Sequence, residues 1–195
     1  MLDLKGRSAF AFLTEPVGAA LAKTGLSPTA LSVMGLLVSG VGAVFIGLGE
    51  LFIGAIVGAI GVLTDAFDGP LARHAGKASD HGAFVDTMSD RFGEIMLFGG
   101  LIVAIVDDPS LVILTFFATT LALLVPYVRA KAEARGAEGR GGIMGRAERM
   151  IVLLLGVGLT GLGFNALYIT LWVLVALTAL TVAIRIWRTW FQLTE

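Results

Sequence analysis

Apolar residues dominate six stretches of the chain, at about 28–48, 51–73, 81–106, 109–129, 147–163 and 165–187. Crossing a bilayer takes about 17–25 mostly apolar residues in a helix, so each stretch is a candidate transmembrane helix. The second and third are only half apolar, and the fifth is short. Ahead of them, residues 7–23 set Phe10, Leu13, Val17 and Leu21 at helical spacing among polar neighbours. That pattern predicts a helix lying in the membrane interface, bent at Pro16. The expected fold is an all-α integral membrane protein. An N-terminal amphipathic interfacial helix occupies 1–25, and six transmembrane helices occupy 26–195.

Composition agrees with the pattern. The chain is 56% hydrophobic and 15% charged, with a mean hydropathy of +0.89. Water-soluble domains do not reach that value. There is no cysteine, which excludes a disulfide framework and thiol chemistry. A net charge of -1 gives no bulk attraction to nucleic acid. The opening "MLDLKGRSAFAFLTEP" lacks a continuous apolar core and a small-residue cleavage site, so it does not read as a signal peptide.

Charge placement predicts orientation. Lys5, Arg7 and Lys23 precede the first stretch, and Arg73 and Lys77 lie between the second and third. Arg129, Lys131, Arg135, Arg140, Arg146 and Arg149 surround the link from fourth to fifth, and Arg185 and Arg188 end the sixth. The opposite connections hold Glu50, Asp107 and Asp108 and no basic residue. The positive-inside rule then puts both termini and the basic links in the cytoplasm, which requires an even number of spans. The glycine-rich "GAEGRGGIMG", residues 136–145, reads as a flexible cytoplasmic loop.

Against this apolar background stand Asp65, Asp68, Asp86 and Asp90. An ionised carboxylate in mid-bilayer costs about 2.5–3.5 kcal/mol, so four cost on the order of 10 kcal/mol. Asp65 and Asp68 are three apart and Asp86 and Asp90 four apart, so each pair shares a helix face. The link "HAGKASDH" makes the two helices an antiparallel hairpin, with both pairs at similar depth. Carboxylates meeting there repel one another unless a cation lies between them. Hard oxygen donors suit Mg²⁺ or Mn²⁺, and two ions match four acids. Gly69, Ala72 and Gly82 leave room for a ligand beside the acids, and Arg73 offers a fork to a phosphate. Together these residues describe a pyrophosphate site.

The order Asp65-x2-Asp68-Gly69-x2-Ala72-Arg73-x8-Gly82-x3-Asp86-x3-Asp90 resembles the signature of the CDP-alcohol phosphotransferase family at every fixed position. The resemblance implies exchange of CMP on a CDP-linked lipid for an alcohol, two Mg²⁺ or Mn²⁺ ions, six transmembrane helices and a homodimer. It implies that Asp65, Asp68 and Asp86 hold one metal, and that Asp65, Asp86 and Asp90 serve the second. Asp90 is also the implied general base. Gly69, Ala72, Arg73 and Ser79 are the implied nucleotide-lipid contacts, joined by Thr29, Ala30, Leu31 and Ser32 of "SPTALS".

The acceptor is read from "YVRAKAEARGAEGRGGIMGRAERMIVLL". It resembles the bacterial phosphatidylinositol-phosphate synthases of that family, whose Lys-x-Arg pair is reversed here as Arg129-x-Lys131, while Glu148-Arg149 matches. By position Arg129, Lys131, Arg149 and Arg185 hold the phosphate of inositol phosphate, with CDP-diacylglycerol as donor. Glycerol 3-phosphate, giving phosphatidylglycerol phosphate, is the alternative acceptor, since it too carries a phosphate. Positive-inside anchoring explains the same cations without any ligand. A divalent-cation transporter is the alternative of another class, and Arg73 beside the acids speaks against it.

Overall fold

Helix starts and stops along the chain have local causes. The computed structural model describes residues 14–194, and every regular element among them is helical. The first, α1, covers 14–22. It falls within the expected interfacial helix, of which Phe10 and Leu13 lie outside the described residues. Helix α2, Pro28–Gly47, opens on Ser27, whose Oγ accepts from the Ala30 N–H, with Pro28 in the first turn. A proline there gives up an N–H that has no partner within the helix anyway. Helices α3, Leu51–Asp65, and α4, Asp68–His74, are separated by two residues. They are followed by α5, Asp80–Ala104, α6, Pro109–Glu133, α7, Arg146–Gly161, and α8, Leu167–Thr194.

The helices fall where the six apolar stretches were expected, with one interruption. The second stretch breaks at Ala66 and Phe67, where Phe67 N–H bonds back only three residues, to Thr64 O. Among the described residues, four helical segments are long and apolar enough to cross a membrane: Pro28–Gly47, Leu51–His74, Pro109–Glu133 and Leu167–Thr194. Helix α5 has the length but carries Asp80, Asp86, Asp90, Arg91 and Glu94. Helix α7 has only 16 residues. The chain is therefore a helical, multi-pass membrane protein.

By its internal contacts the chain falls into two compact units, one ending at Ala104 and one beginning at Ile105. In the first, α2 packs on α3, α4 and α5. Glycine permits the closest of these approaches. A Cβ on Gly42 would stand 2.5 Å from Gly58 N, and one on Gly35 would stand 3.1 Å from Asp65 N. Small residues let membrane helices come into backbone contact, and here they draw the end of α3, with Asp65, against α2.

In the second unit α8 packs on α6 and α7. Asp108 caps α6 by accepting from Ser110 and Leu111 N–H. The glycine-rich loop expected to be flexible is tied down. Thr181 Oγ1 accepts from Ile143 and Met144 N–H, Gln192 Oε1 accepts from Glu138 N–H, and Ala137 and Met144 are buried. Gly136, Gly139, Gly141 and Gly142 take positive φ along this path. Their lack of a side chain gives the loop one defined course rather than freedom.

Candidate active site

The interruption between α3 and α4 matters for chemistry. Asp65 ends one helix and Asp68 begins the next, and Asp86 comes from α5. One carboxylate oxygen from each lies within 4.8 Å of those from the other two. Asp65 and Asp68 are 6% and 8% exposed, and Asp86 is half-buried. Three acids this close and this dry repel strongly, and a divalent cation among them relieves the repulsion. The all-oxygen donor set fits Mg²⁺ or Mn²⁺ rather than a softer metal. Ser32 Oγ stands 2.5 Å from Asp68 Oδ2 and 3.2 Å from Pro28 O. The shorter contact, to a carboxylate, takes the hydroxyl proton and fixes how Asp68 is turned.

Asp90 lies one turn beyond Asp86 on the same face of α5 and is not one of the three clustered acids. Its Oδ2 is 3.6 Å from Arg91 Nη2, while Arg91 Nη1 donates to Glu94 Oε2 at 2.7 Å. Glu94 is 1% exposed. A buried acid in a membrane helix is costly unless paired, and Arg91 supplies the pair.

A cleft of about 250 Å³ opens beside the acids. It is lined by Pro28, Thr29 and Ser32 of α2, by Asp68, Gly69, Ala72 and Arg73 of α4, and by Lys77, Ala78, Ser79, Gly82, Ala83 and Asp86. The turn from α4 to α5 is shaped by Gly76 at φ +62, with Gly76 N–H bonding Arg73 O and Lys77 N–H bonding Ala72 O. This reversal ends the helix with all but its last carbonyls satisfied. Ser79 then caps α5, its Oγ accepting from Gly82 N–H at 3.1 Å.

Six of the eight expected nucleotide-lipid residues line the cleft: Thr29, Ser32, Gly69, Ala72, Arg73 and Ser79. The other two do not. Ala30 spends its N–H on the Ser27 cap, and Leu31 is packed into the core. Side chains adjacent on a helix point about 100° apart, so those of Thr29 and Ser32 face the cleft while those of Ala30 and Leu31 turn away from it.

The four expected acceptor residues, in the second unit, divide two and two. Arg149 is 1% exposed and donates to Met144 O, and Arg185 donates to Gly141 O and Val125 O at 2.9 and 3.0 Å. Both therefore brace the glycine-rich loop. Arg129 is half-exposed and paired with Glu133 at 2.8 Å. Lys131 Nζ sits 5.7 Å from the centre of the Tyr127 ring.

A profile of the CDP-alcohol phosphatidyltransferases matches residues 26–193. The chain belongs to the CDP-alcohol phosphatidyltransferase family. Within that family it is similar to the phosphatidylinositol phosphate synthase of Mycolicibacterium smegmatis. The two are 35% identical, over 94% of this chain and 86% of the relative. The synthase of Mycobacterium marinum is 36% identical, over 94% of this chain and 82% of its own. A crystal structure of the Mycobacterium tuberculosis synthase with CDP-DAG bound matches at a TM-score of 0.84 and 34% identity, covering 92% of this chain and 94% of that one. A second, in complex with manganese and citrate, matches at a TM-score of 0.83 and 34% identity, covering 91% and 88%.

Four residues of this phosphatidyltransferase site were not singled out from the sequence. Lys77 lines the cleft, Arg91 and Glu94 form the pair beside Asp90, and Glu15 of α1 bonds Arg73. Arg91 and Glu94 carried a legible signal: opposite charges three apart, inside an apolar span and one step past the motif.

Proposed function

We propose that the protein transfers the phosphatidyl group of CDP-diacylglycerol to a hydroxyl of inositol phosphate, forming phosphatidylinositol phosphate and releasing CMP. The observation that carries the reading is the meeting of Asp65, Asp68 and Asp86 beside a cleft that Gly69, Ala72 and Arg73 also line. A cation pathway has no use for that arginine. Membership of a transferase family and similarity to phosphatidylinositol phosphate synthases support the same activity.

In this reading Asp65, Asp68 and Asp86 hold one Mg²⁺ or Mn²⁺, and Asp65, Asp86 and Asp90 serve a second. When bound, the ions neutralise charge on the attacking and leaving oxygens of an in-line displacement. Arg73 and Lys77 face the diphosphate, and Thr29, Ser32 and Ser79 face the nucleotide. Ala30 and Leu31 shape the α2 wall from behind. Asp90 takes the proton from the acceptor hydroxyl as that oxygen bonds to the lipid-bearing phosphorus. The phosphoanhydride bond breaks, and CMP leaves with the electron pair. Arg149, Arg185, Lys131 and Arg129 bind the acceptor's phosphate, the first two on a braced frame and the other two as outer charges.

Six spans, with both termini and the site on the cytoplasmic side, belong to this proposal. So do an interfacial helix over 1–25, one phosphotransferase domain over 26–195, and a homodimer. The one-sided distribution of Lys and Arg supports the orientation. The test is CMP release from CDP-diacylglycerol by purified protein with Mg²⁺ or Mn²⁺, comparing inositol phosphate, inositol and glycerol 3-phosphate. Turnover with inositol phosphate above the other two is expected. Preference for glycerol 3-phosphate reassigns the acceptor, and no release with any of them defeats the reading.

A further inference from the structure

We infer that Glu15 is a positioning residue for Arg73, holding one side of the guanidinium so that the other faces the cleft. The inference rests on reading that cleft as the seat of the CDP-diacylglycerol diphosphate.

Glu15 reaches α4 with both oxygens. Oε1 accepts from Arg73 Nη2 at 2.6 Å, and Oε2 lies 2.7 Å from His74 Nε2. The carboxylate is carried on a seated helix. Gly18, one turn on, is buried against α4, where a Cβ would stand 2.5 Å from Pro70 Cβ and 2.8 Å from Pro70 C. Backbone contact of that kind leaves α1 no room to slide.

The other side of the arginine points elsewhere. Nη1 stands 3.6 Å from the place a Cβ on Gly69 would take, and Gly69 and Arg73 both line the cleft. One guanidinium therefore serves two masters: Nη2 is bound to α1, and Nη1 looks over the bare backbone of Gly69. Arg73 is 59% exposed on its side chain, and without a tether so long a side chain would sample many rotamers. A tether on one nitrogen fixes the plane of the fork, and the fork's value to a phosphate lies in that plane.

Simple electrostatics gives the opposite sign. Glu15 is a negative charge near a site for an anion, so removing it would tighten binding by charge alone. Positioning requires that removal weaken binding. The direction of the change thus separates the two.

CMP release is measured for wild type, Glu15→Ala, Glu15→Gln and His74→Asn, each checked for folding by its melting temperature in detergent. Glu15→Ala should raise the KM for CDP-diacylglycerol about fivefold, the size of a strong exposed ion pair. The KM for the phosphorylated acceptor and kcat should stay within twofold. Glu15→Gln keeps an acceptor oxygen for Nη2 and should rise only two- to threefold. His74→Asn leaves the Arg73 bond in place and should stay near wild type. A purely structural Glu15 would lower the melting temperature without separating the two KM values, which overturns the inference. So does an unchanged or lowered CDP-diacylglycerol KM in either Glu15 variant, and Glu15→Gln alone decides if Glu15→Ala does not fold. Wild-type protein that releases no CMP removes the reading of the cleft, and the inference with it.

Discussion

Asp65, Asp68 and Asp86 meet because glycine-lined helices bring three backbones together, whereas Arg149 and Arg185 are held by backbone carbonyls of the glycine-rich loop and, for Arg185, of α6 as well. The acids lie in the unit ending at Ala104, the arginines in the unit beginning at Ile105. The difference follows from side-chain length. An aspartate's oxygens lie only two bonds past its Cβ, so their position is close to that of its helix. An arginine reaches across several ångströms and must be fixed by partners along the way. The acid site is thus built by packing and the basic site by hydrogen bonds, and the two should fail differently.

The largest effect should come from the acids. Asp68→Asn or Asp86→Asn should lower metal-dependent CMP release about 10³-fold or more, with the folded state retained. An activity within tenfold of wild type would mean that the cluster is not the metal seat. Asp90→Asn should reduce transfer by about 10²–10⁴-fold, as expected for loss of a general base. Binding of CDP-diacylglycerol should largely survive, and loss of both together would move Asp90 into the lipid-binding set.

The basic unit should respond in KM. Arg149→Ala and Arg185→Ala should raise the KM for the phosphorylated acceptor by about 10–100-fold, the loss of one or two charged hydrogen bonds. The KM for CDP-diacylglycerol should move far less. Arg129→Ala, already paired with Glu133 at an exposed site, should change the acceptor KM about threefold or less. Equal effects of the four substitutions would erase the distinction between a braced pair and an outer pair. Ser32→Ala, which removes the hydroxyl on Asp68, should weaken Mn²⁺ binding about tenfold and leave the cleft intact.

The smallest effect concerns acid. The Arg73 guanidinium, and after it His74, hold the Glu15 carboxyl below the usual glutamate value of 4.5. An acid depressed in the folded state contributes its tie fully above its unfolded value and loses it as pH falls through the lower, folded one. The tie between α1 and α4 should therefore be whole above pH 4.5 and loosen only below it. The chain has no cysteine, so a single spin label at Ala20→Cys can follow it. Label mobility rising already between pH 7 and 5 would contradict the sign.

Much of the acid site was legible because it is local. Asp65 to Asp90 spans a single hairpin, and helical spacing in a membrane context pointed to convergence, which holds for Asp65, Asp68 and Asp86 although the first two stand on separate helices. The break at Ala66 and Phe67 did carry a signal, masked by the apolar run: Pro70 has no N–H for Ala66 O, four residues back, and its ring crowds that carbonyl. The glycine-rich loop misled in the other direction. Glycines that permit freedom also permit tight docking, and what decides between them is Thr181, a hydroxyl 38 and 37 residues beyond the Ile143 and Met144 N–H groups it accepts from. Glu15 was hidden for the same reason: its partners Arg73 and His74 are 58 and 59 residues further on, and no period links them.

The central claim is that three aspartates from α3, α4 and α5 grip one divalent ion against a lipid diphosphate. Mn²⁺ binding to the purified protein, followed by electron paramagnetic resonance with and without CDP-diacylglycerol, tests it most directly. Saturable binding that tightens when the nucleotide lipid is added, and that Asp68→Asn weakens at least tenfold or reduces by one ion, is the predicted result. Wild-type protein that binds no Mn²⁺, or an Asp68→Asn variant that binds it as tightly as wild type, would contradict the account.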